Sequence, residues 1–113
     1  NKTFVSAWEK EYGPKSPPPS FMSVGAWDGM DAIFQVIIDQ KGKLDGDQAM
    51  ISLRGYKNPN SPRGPISIDP LTRDVIQNEY LREVRKVAGK LANVEIETVA
   101  ANVKDPWKEF NKK

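Results

Sequence analysis

Residues 58–65 read Asn-Pro-Asn-Ser-Pro-Arg-Gly-Pro, and they constrain this chain more than any other segment. Three prolines and one glycine in eight positions remove backbone donors and fix φ, so neither a helix nor an inner strand passes through. Whatever folds on one side must be joined to the other by an irregular connector. The hydrophobic period also differs across this break, helical before it and alternating after it.

On the upstream side, residues 3–12 read as a short helix. Thr3 is placed to cap it, and Phe4, Ala7, Trp8 and Tyr12 share one face. Gly13 is expected as a left-handed C-cap and Pro14 as the stop. Pro17-Pro18-Pro19 is a stiff extended link, with a recognition peptide for a proline-binding module as the lesser reading. Residues 21–24 suit either a strand end or the lead-in to a helix. From 26 to 41 the spacing predicts a helix with Met30, Ile33, Phe34, Ile37 and Ile38 on a broad apolar face, extended by Trp27. Gly42 ends it. Asp45 and Gln48 have capping-box spacing before a third helix that turns Ala49, Met50 and Leu53 inward and stops at Gly55.

Downstream, Ile66-Ser67-Ile68 reads as a strand and Asp69-Pro70 as a turn. Residues 75–87 are ambiguous, with Ile76, Tyr80, Val84 and Val87 fitting a helical face better than a strand. The clean alternation over 93–99 needs a partner across Gly89, which decides 79–87 as strand and the pair as a hairpin. From Lys104 onward little order is expected beyond a docked Trp107 or Phe110.

Composition narrows the chemistry. The 113 residues contain no Cys and no His, which excludes disulfides, thiolate nucleophiles, His-dependent triads and His/Cys zinc sites within this chain. With 17 basic against 15 acidic residues there is no basic stripe for nucleic acid. No uninterrupted apolar run approaches the roughly 18 residues that span a bilayer. The chain opens on Asn and not Met, as expected of a piece processed or cut from something longer.

Several constellations have a chemical and a structural reading. Ser61-Pro62-Arg63-Gly64 suits an anion nest, but lacks phosphate-loop spacing and reads first as a turn. Asp28 and Asp31 suit a metal or acid–base pair, but read first as carboxylates near a helix start. Asp45 and Asp47 read as a helix start before a calcium loop. Arg82, Arg85, Lys86 and Lys90 are interrupted by Glu79 and Glu83, as on a solvated strand. Phe21, Met22 and Trp27, large apolar groups behind a rigid proline link, read as core or as one wall of a pocket.

The order of segments carries a resemblance. Phe-Val-x-x-Trp-x-x-x-Tyr-Gly (4–13) precedes Ala-Trp-Asp-Gly-Met-Asp-Ala-Ile (26–33) and Leu-Asp-Gly-Asp-x-x-x-x-x-Leu-Arg-Gly-Tyr (44–56). Ser-Pro-Arg-Gly-Pro-Ile-Ser-Ile-Asp (61–69), Arg-Asp-Val-Ile-Gln-Asn-x-Tyr (73–80), the hairpin around Gly89 and Asp-Pro-Trp (105–107) follow. Together they resemble the C-terminal third of a periplasmic solute-binding protein of the branched-chain amino acid (Leu/Ile/Val) type, which serves an ABC importer.

That resemblance implies an α/β fold, here a C-terminal fragment of a two-lobed type I periplasmic binding fold: three helices, a Pro/Gly connector, then a β-hairpin. It assigns 1–57 to the first lobe, 58–70 to an inter-lobe connector, 71–103 to the second lobe and 104–113 to a tail. It implies a ligand contact by an apolar or aromatic residue at the entry to the long helix, which carries over to Phe21, Met22 and Trp27. The implied function is transport without catalysis or cofactor. A small amino acid or related acid or amide is the ligand of the full-length protein, and an ABC permease its partner. Nucleic acid is not a partner, and the location is periplasmic. As a fragment, the chain is expected to bind poorly alone and to self-associate through the helical face left bare. A free-standing interaction module, and a ligand-sensing regulator on the same fold, are the alternatives.

Overall fold

The computed structural model describes residues 1–111. Three helices, α1 (Lys2–Tyr12), α2 (Phe21–Asp39) and α3 (Gly46–Arg54), come first. They lead into strands β1 (Lys57–Asn58), β2 (Ile66–Ile68), β3 (Val75–Val87) and β4 (Lys90–Val103), and the described chain closes on a short helix, α4 (Pro106–Phe110). The four strands form one sheet in chain order with every neighbouring pair antiparallel.

Local signals account for most boundaries. The stretch at 21–24 is helix: Ser20, behind three prolines that cannot be helical, accepts the Ser23 N–H at 3.5 Å and starts α2 a turn earlier than its apolar period suggests. The first helix begins at Lys2 and not at Thr3, with Asn1 in the cap position making no side-chain bond. Gly13 has positive φ (86°) but an extended ψ (159°), so it turns the chain outward and is not a left-handed cap. Asp45 caps α3 by accepting the Gln48 N–H at 2.8 Å. The reciprocal half of that box comes from Gln40, whose Oε1 accepts the Asp45 N–H at 2.6 Å. Val87 pairs with Lys90 around the two-residue turn Ala88-Gly89, both at positive φ (47° and 82°), the geometry that matches strand twist.

Two expectations need correction. Residues 106–110 form a helix, because the Asp105 side chain accepts the Trp107 N–H at 2.9 Å and Pro106 suits the first helical position. Trp107 and Phe110 are 70% and 86% exposed, so neither docks within this chain. The inward face of α2 is also not the one its hydrophobicity suggests. Asp28, Ala32 and Val36 are its buried residues, while Met30, Ile33, Phe34 and Ile38 are about half exposed. Those apolar side chains lie on the far side of the helix, where Met30 and Phe34 border an open groove against α1 and all four stay largely uncovered. By length and composition α2 also qualifies to cross a bilayer, with a mean hydropathy of 1.2. Its Asp28 and Asp31 are instead bonded to the connector, as on a helix packed within protein.

Size makes the same point. The radius of gyration is 16.8 Å, against about 13 Å for a compact domain of this length. The accessible surface is 9090 Å², whereas a folded monomer of this mass shows about 6200 Å². The surplus, about 2900 Å², exceeds what a standard protein interface covers. Only Phe4, Ala32, Val36 and Ile66 form a buried apolar core among the described residues.

Candidate functional site

The connector meets both halves of the fold through polar contacts centred on α2. Asp28 is buried, and its Oδ2 accepts from Ser61 Oγ at 3.0 Å and from Arg63 Nε at 2.9 Å. Arg63 continues to β3, where its Nη1 donates to Gln77 Oε1 at 3.1 Å. The Arg63 backbone N–H in turn reaches Ser61 Oγ at 3.3 Å, closing a small ring around the turn. Gly64 has φ 96°, and the Tyr80 hydroxyl lies against it so closely that a Cβ would sit 1.9 Å from that oxygen. Ser61–Gly64 is therefore a turn whose cation is already paired with the protein's own carboxylate.

One turn further along α2, Asp31 Oδ2 accepts from Tyr56 Oη at 2.6 Å and from Asn58 Nδ2 at 3.3 Å. Burial pushes the Tyr56 hydroxyl well above the usual tyrosine range, and its hydrogen bond to the Asp31 carboxylate adds to the shift. Because the folded value is raised, this contribution is complete below about pH 10 and is lost as pH rises through the folded value. An alkaline titration followed by tyrosinate absorbance should therefore lose, in Tyr56→Phe, a component that appears above the ordinary tyrosine range. If the variant lost a component at ordinary pH instead, the Tyr56–Asp31 bond would be absent in solution.

Asp69 anchors the next turn. Its carboxylate accepts the Leu71 and Thr72 N–H groups at 2.8 and 3.3 Å and faces Lys104 Nζ at 3.2 Å. The Leu71 amide contributes most to holding its pKa below the usual aspartate value, against an opposing effect of burial, with Thr72 and Lys104 adding to the depression. A lowered folded pKa means stability present above about pH 4 and lost as pH falls through the folded value. Acid unfolding of Asp69→Asn should be measurably less steep below about pH 4 than that of the unmodified chain. Superimposable acid limbs would remove Asp69 from the account.

The three side chains singled out at the entry of α2 separate. At roughly 100° per residue, Phe21 lies on the stripe of Gly25, Asp28 and Ala32, Met22 is a quarter turn away, and Trp27 is roughly 120° from Phe21. Phe21 and Met22 stand on the first turn, 79% and 71% exposed. Trp27 packs edge-on against Phe4 of α1 with ring centroids 5.3 Å apart. It stands between two open grooves. An apolar one of about 710 Å³ between α1 and α2 is lined by Trp8, Tyr12, Met30 and Phe34. A polar one of about 490 Å³ is lined by Asp31, Gln35, Tyr56 and Asn58. No group of three or more acidic side chains able to hold a metal occurs among the described residues. Asp28 and Asp31 sit mid-helix, because α2 starts at Phe21, and both serve the connector. Arg82 stands opposite Glu95 and near the Tyr80 ring, and Arg85 pairs with Glu83, as on a solvated ribbon. Sequence reasoning missed the bonds from α2 to Tyr56, Asn58, Ser61 and Arg63. Its one available signal was two carboxylates on an otherwise apolar helix.

No protein-family model matches the chain. Solved structures do. The solute-binding protein of an ABC transporter from Rhodopseudomonas palustris BisB5, in complex with 3,4-dihydroxybenzoic acid, is 48% identical. It superposes at a TM-score of 0.83 over 95% of this chain and 28% of its own. A second, from R. palustris HaA2 in complex with p-hydroxybenzoic acid, is 45% identical with a TM-score of 0.72 over 87% and 26%. The chain thus carries part of the fold of a type I periplasmic binding protein, the class that serves ABC transporters. Among curated proteins it resembles the Leu/Ile/Val-binding protein homolog 6 of Brucella abortus and of Brucella suis, at 44% identity over 99 residues. The chain spans about a quarter of the length of these curated relatives, covering 25% of each and 87% of itself. All are named as binding proteins, not as enzymes.

Proposed function

We propose that this chain is the C-terminal part of a periplasmic solute-binding protein that delivers a small carboxylic acid to an ABC permease. The observation that carries the reading is 48% identity at a TM-score of 0.83 over nearly the whole chain to such a protein. In this reading residues 1–57 belong to one lobe, 58–70 cross between lobes and 71–103 belong to the other. The bare apolar face of α2 and the exposed β3–β4 ribbon are surfaces for the rest of the full-length protein, which agrees with the surplus of accessible area. A binding protein needs two rigid walls and a ligand that favours the closed state, and no nucleophile, which suits a chain without Cys or His.

For the ligand, solved neighbours carrying hydroxybenzoates favour an aromatic acid. The Leu/Ile/Val-binding name of the curated relatives favours a branched-chain amino acid. Phe21, Met22 and Trp27 are the residues of this chain to meet the ligand in the full-length protein: Phe21 and Met22 are the most exposed, and Trp27 keeps 41% of its surface open between two grooves beside its contact with α1. Thermal shift of the full-length protein with 4-hydroxybenzoate, 3,4-dihydroxybenzoate and leucine tests the reading. A true ligand at a hundredfold excess over Kd stabilises by about 2.7 kcal/mol. No shift with any small acid or amino acid would end it.

The 113-residue chain by itself should self-associate, burying the α2 face. Sedimentation velocity at micromolar concentration is expected to give a dimer or larger species. A monomer with the radius of a compact domain would contradict this.

A further inference from the structure

The β3–β4 ribbon has two regular ends joined by an irregular stretch. At its base Gln77 pairs with Ile66 of β2 and Val103 of β4 and accepts from Arg63 at 3.1 Å, so this end is fixed to the connector. At the far end six consecutive pairs, from Arg82 with Glu95 to Val87 with Lys90, run without a break. Between these ends the register shifts three times. There Asn102 takes a positive φ of 55°, and its N–H is taken by the Asn78 side chain at 2.9 Å. Shifts of this kind interrupt the ladder and let a strand bend. The tip lies roughly 20 Å beyond the last shift, so a bend of about 10° carries it about 3–4 Å. The tip faces a groove. Lys90 and Leu91 line one side of a space of about 540 Å³, and Trp8, Glu9 and Pro17-Pro18-Pro19 line the other. That second wall is stiff, since the link is proline and Trp8 Nε1 donates to Pro17 O at 3.0 Å, pinning it to α1. Leu91 is 77% exposed, so the groove stands open in this structure.

Resting on the solute-binding reading above, we propose that the ribbon is an arm of the second lobe that bends at this irregular stretch and closes its tip, Lys90 and Leu91, onto the proline link of the first lobe, latching the ligand-bound state. The two walls suit each other. Leu91 meets the flat apolar surfaces of Trp8 and the prolines, whose burial favours closure. Glu9 and Lys90 carry opposite charges on opposite walls, an attraction that is small in water but sets which residues face each other. Because the proline wall is already stiff, little chain freedom is lost when the tip arrives. A contact made only in the closed state adds to that state's advantage over the open one, and so slows reopening and ligand release.

The test uses the full-length protein with 4-hydroxybenzoate, 3,4-dihydroxybenzoate and leucine. Lys15 and Lys90 both line the groove, so an amine-reactive cross-linker read by mass spectrometry reports its width without any substitution. The Lys15–Lys90 product should rise at least about threefold on saturation with whichever compound binds. Leu91→Ser, at an exposed position of the hairpin, should raise the ligand's dissociation rate about 3- to 10-fold by stopped flow and leave the association rate within about twofold. Lys90→Glu, which sets like charges across the groove, should act in the same direction, and Glu9→Lys in that background should reverse it. A cross-link yield indifferent to a bound ligand, or a dissociation rate unmoved by both Leu91→Ser and Lys90→Glu, would overturn the latch while leaving the binding protein intact. An unmodified protein that bound none of the three compounds would overturn the solute-binding reading, and the latch with it.

Discussion

Replacing Asp28 by Ala should lower the melting temperature of this protein by about 10 °C or more. The substitution removes the acceptor of Ser61 Oγ and Arg63 Nε and leaves both donors against a buried helix face. Breaking a buried ion pair from one side typically costs about 3–5 kcal/mol. Arg63 is partly in water, so we place the loss nearer about 2–3 kcal/mol. A domain of this length loses about 4–8 °C per kcal/mol. Asp28→Asn should cost less, since an amide oxygen still accepts one of the two bonds. A double-mutant cycle with Arg63→Gln should return a coupling of at least about 1 kcal/mol. A melting temperature within a few degrees of the unmodified protein would mean that the connector is held by other contacts.

Gly64→Ala should be comparably damaging, for a different reason. At φ 96° an L side chain is strained, and its methyl carbon would sit 1.9 Å from Tyr80 Oη and 3.0 Å from Cζ. The backbone part costs about 1–2 kcal/mol and the crowding a further 1–3 kcal/mol or so. Tyr80→Phe removes the clashing oxygen and forfeits only a long bond from Asn78, at 3.3 Å. The double variant should therefore recover much of the crowding and none of the backbone strain. Strict additivity of the two substitutions would show that Tyr80 does not rest on Gly64 in solution.

Much of the fold could be read from local signals. Gly89 between two alternating runs marks the hairpin, Ile66-Ser67-Ile68 is a strand, and the connector is irregular for the reason its prolines suggest. Reading failed where the deciding contact lies far away or outside the chain. Met30, Ile33 and Phe34 promise an inward face, yet burial falls on Asp28, Ala32 and Val36, because the connector packs on that side through polar bonds while α1 leaves only an open groove beside Met30 and Phe34. The partner of Asp28 is 35 positions away and leaves no periodic trace. Phe21, Met22 and Trp27 look like one cluster because they are close in sequence, while six residues of helix turn Trp27 toward α1. The short α4 was hidden by reading Asp105-Pro106 as the start of a tail when it is a cap.

The contrast between the two-residue turn at Ala88-Gly89 and the distant clasp on Asp28 also sets an order of events in folding. The ribbon β3–β4 closes through neighbours in sequence and needs nothing from the helices, so it can form in microseconds. Bringing Ser61 and Arg63 to Asp28 closes a loop of more than thirty residues before any bond is gained, which is entropically slower. The structure that forms early therefore lies late in the sequence, and the clasp joins two parts already shaped. Substitutions in the clasp should then speed unfolding and leave the refolding rate nearly unchanged.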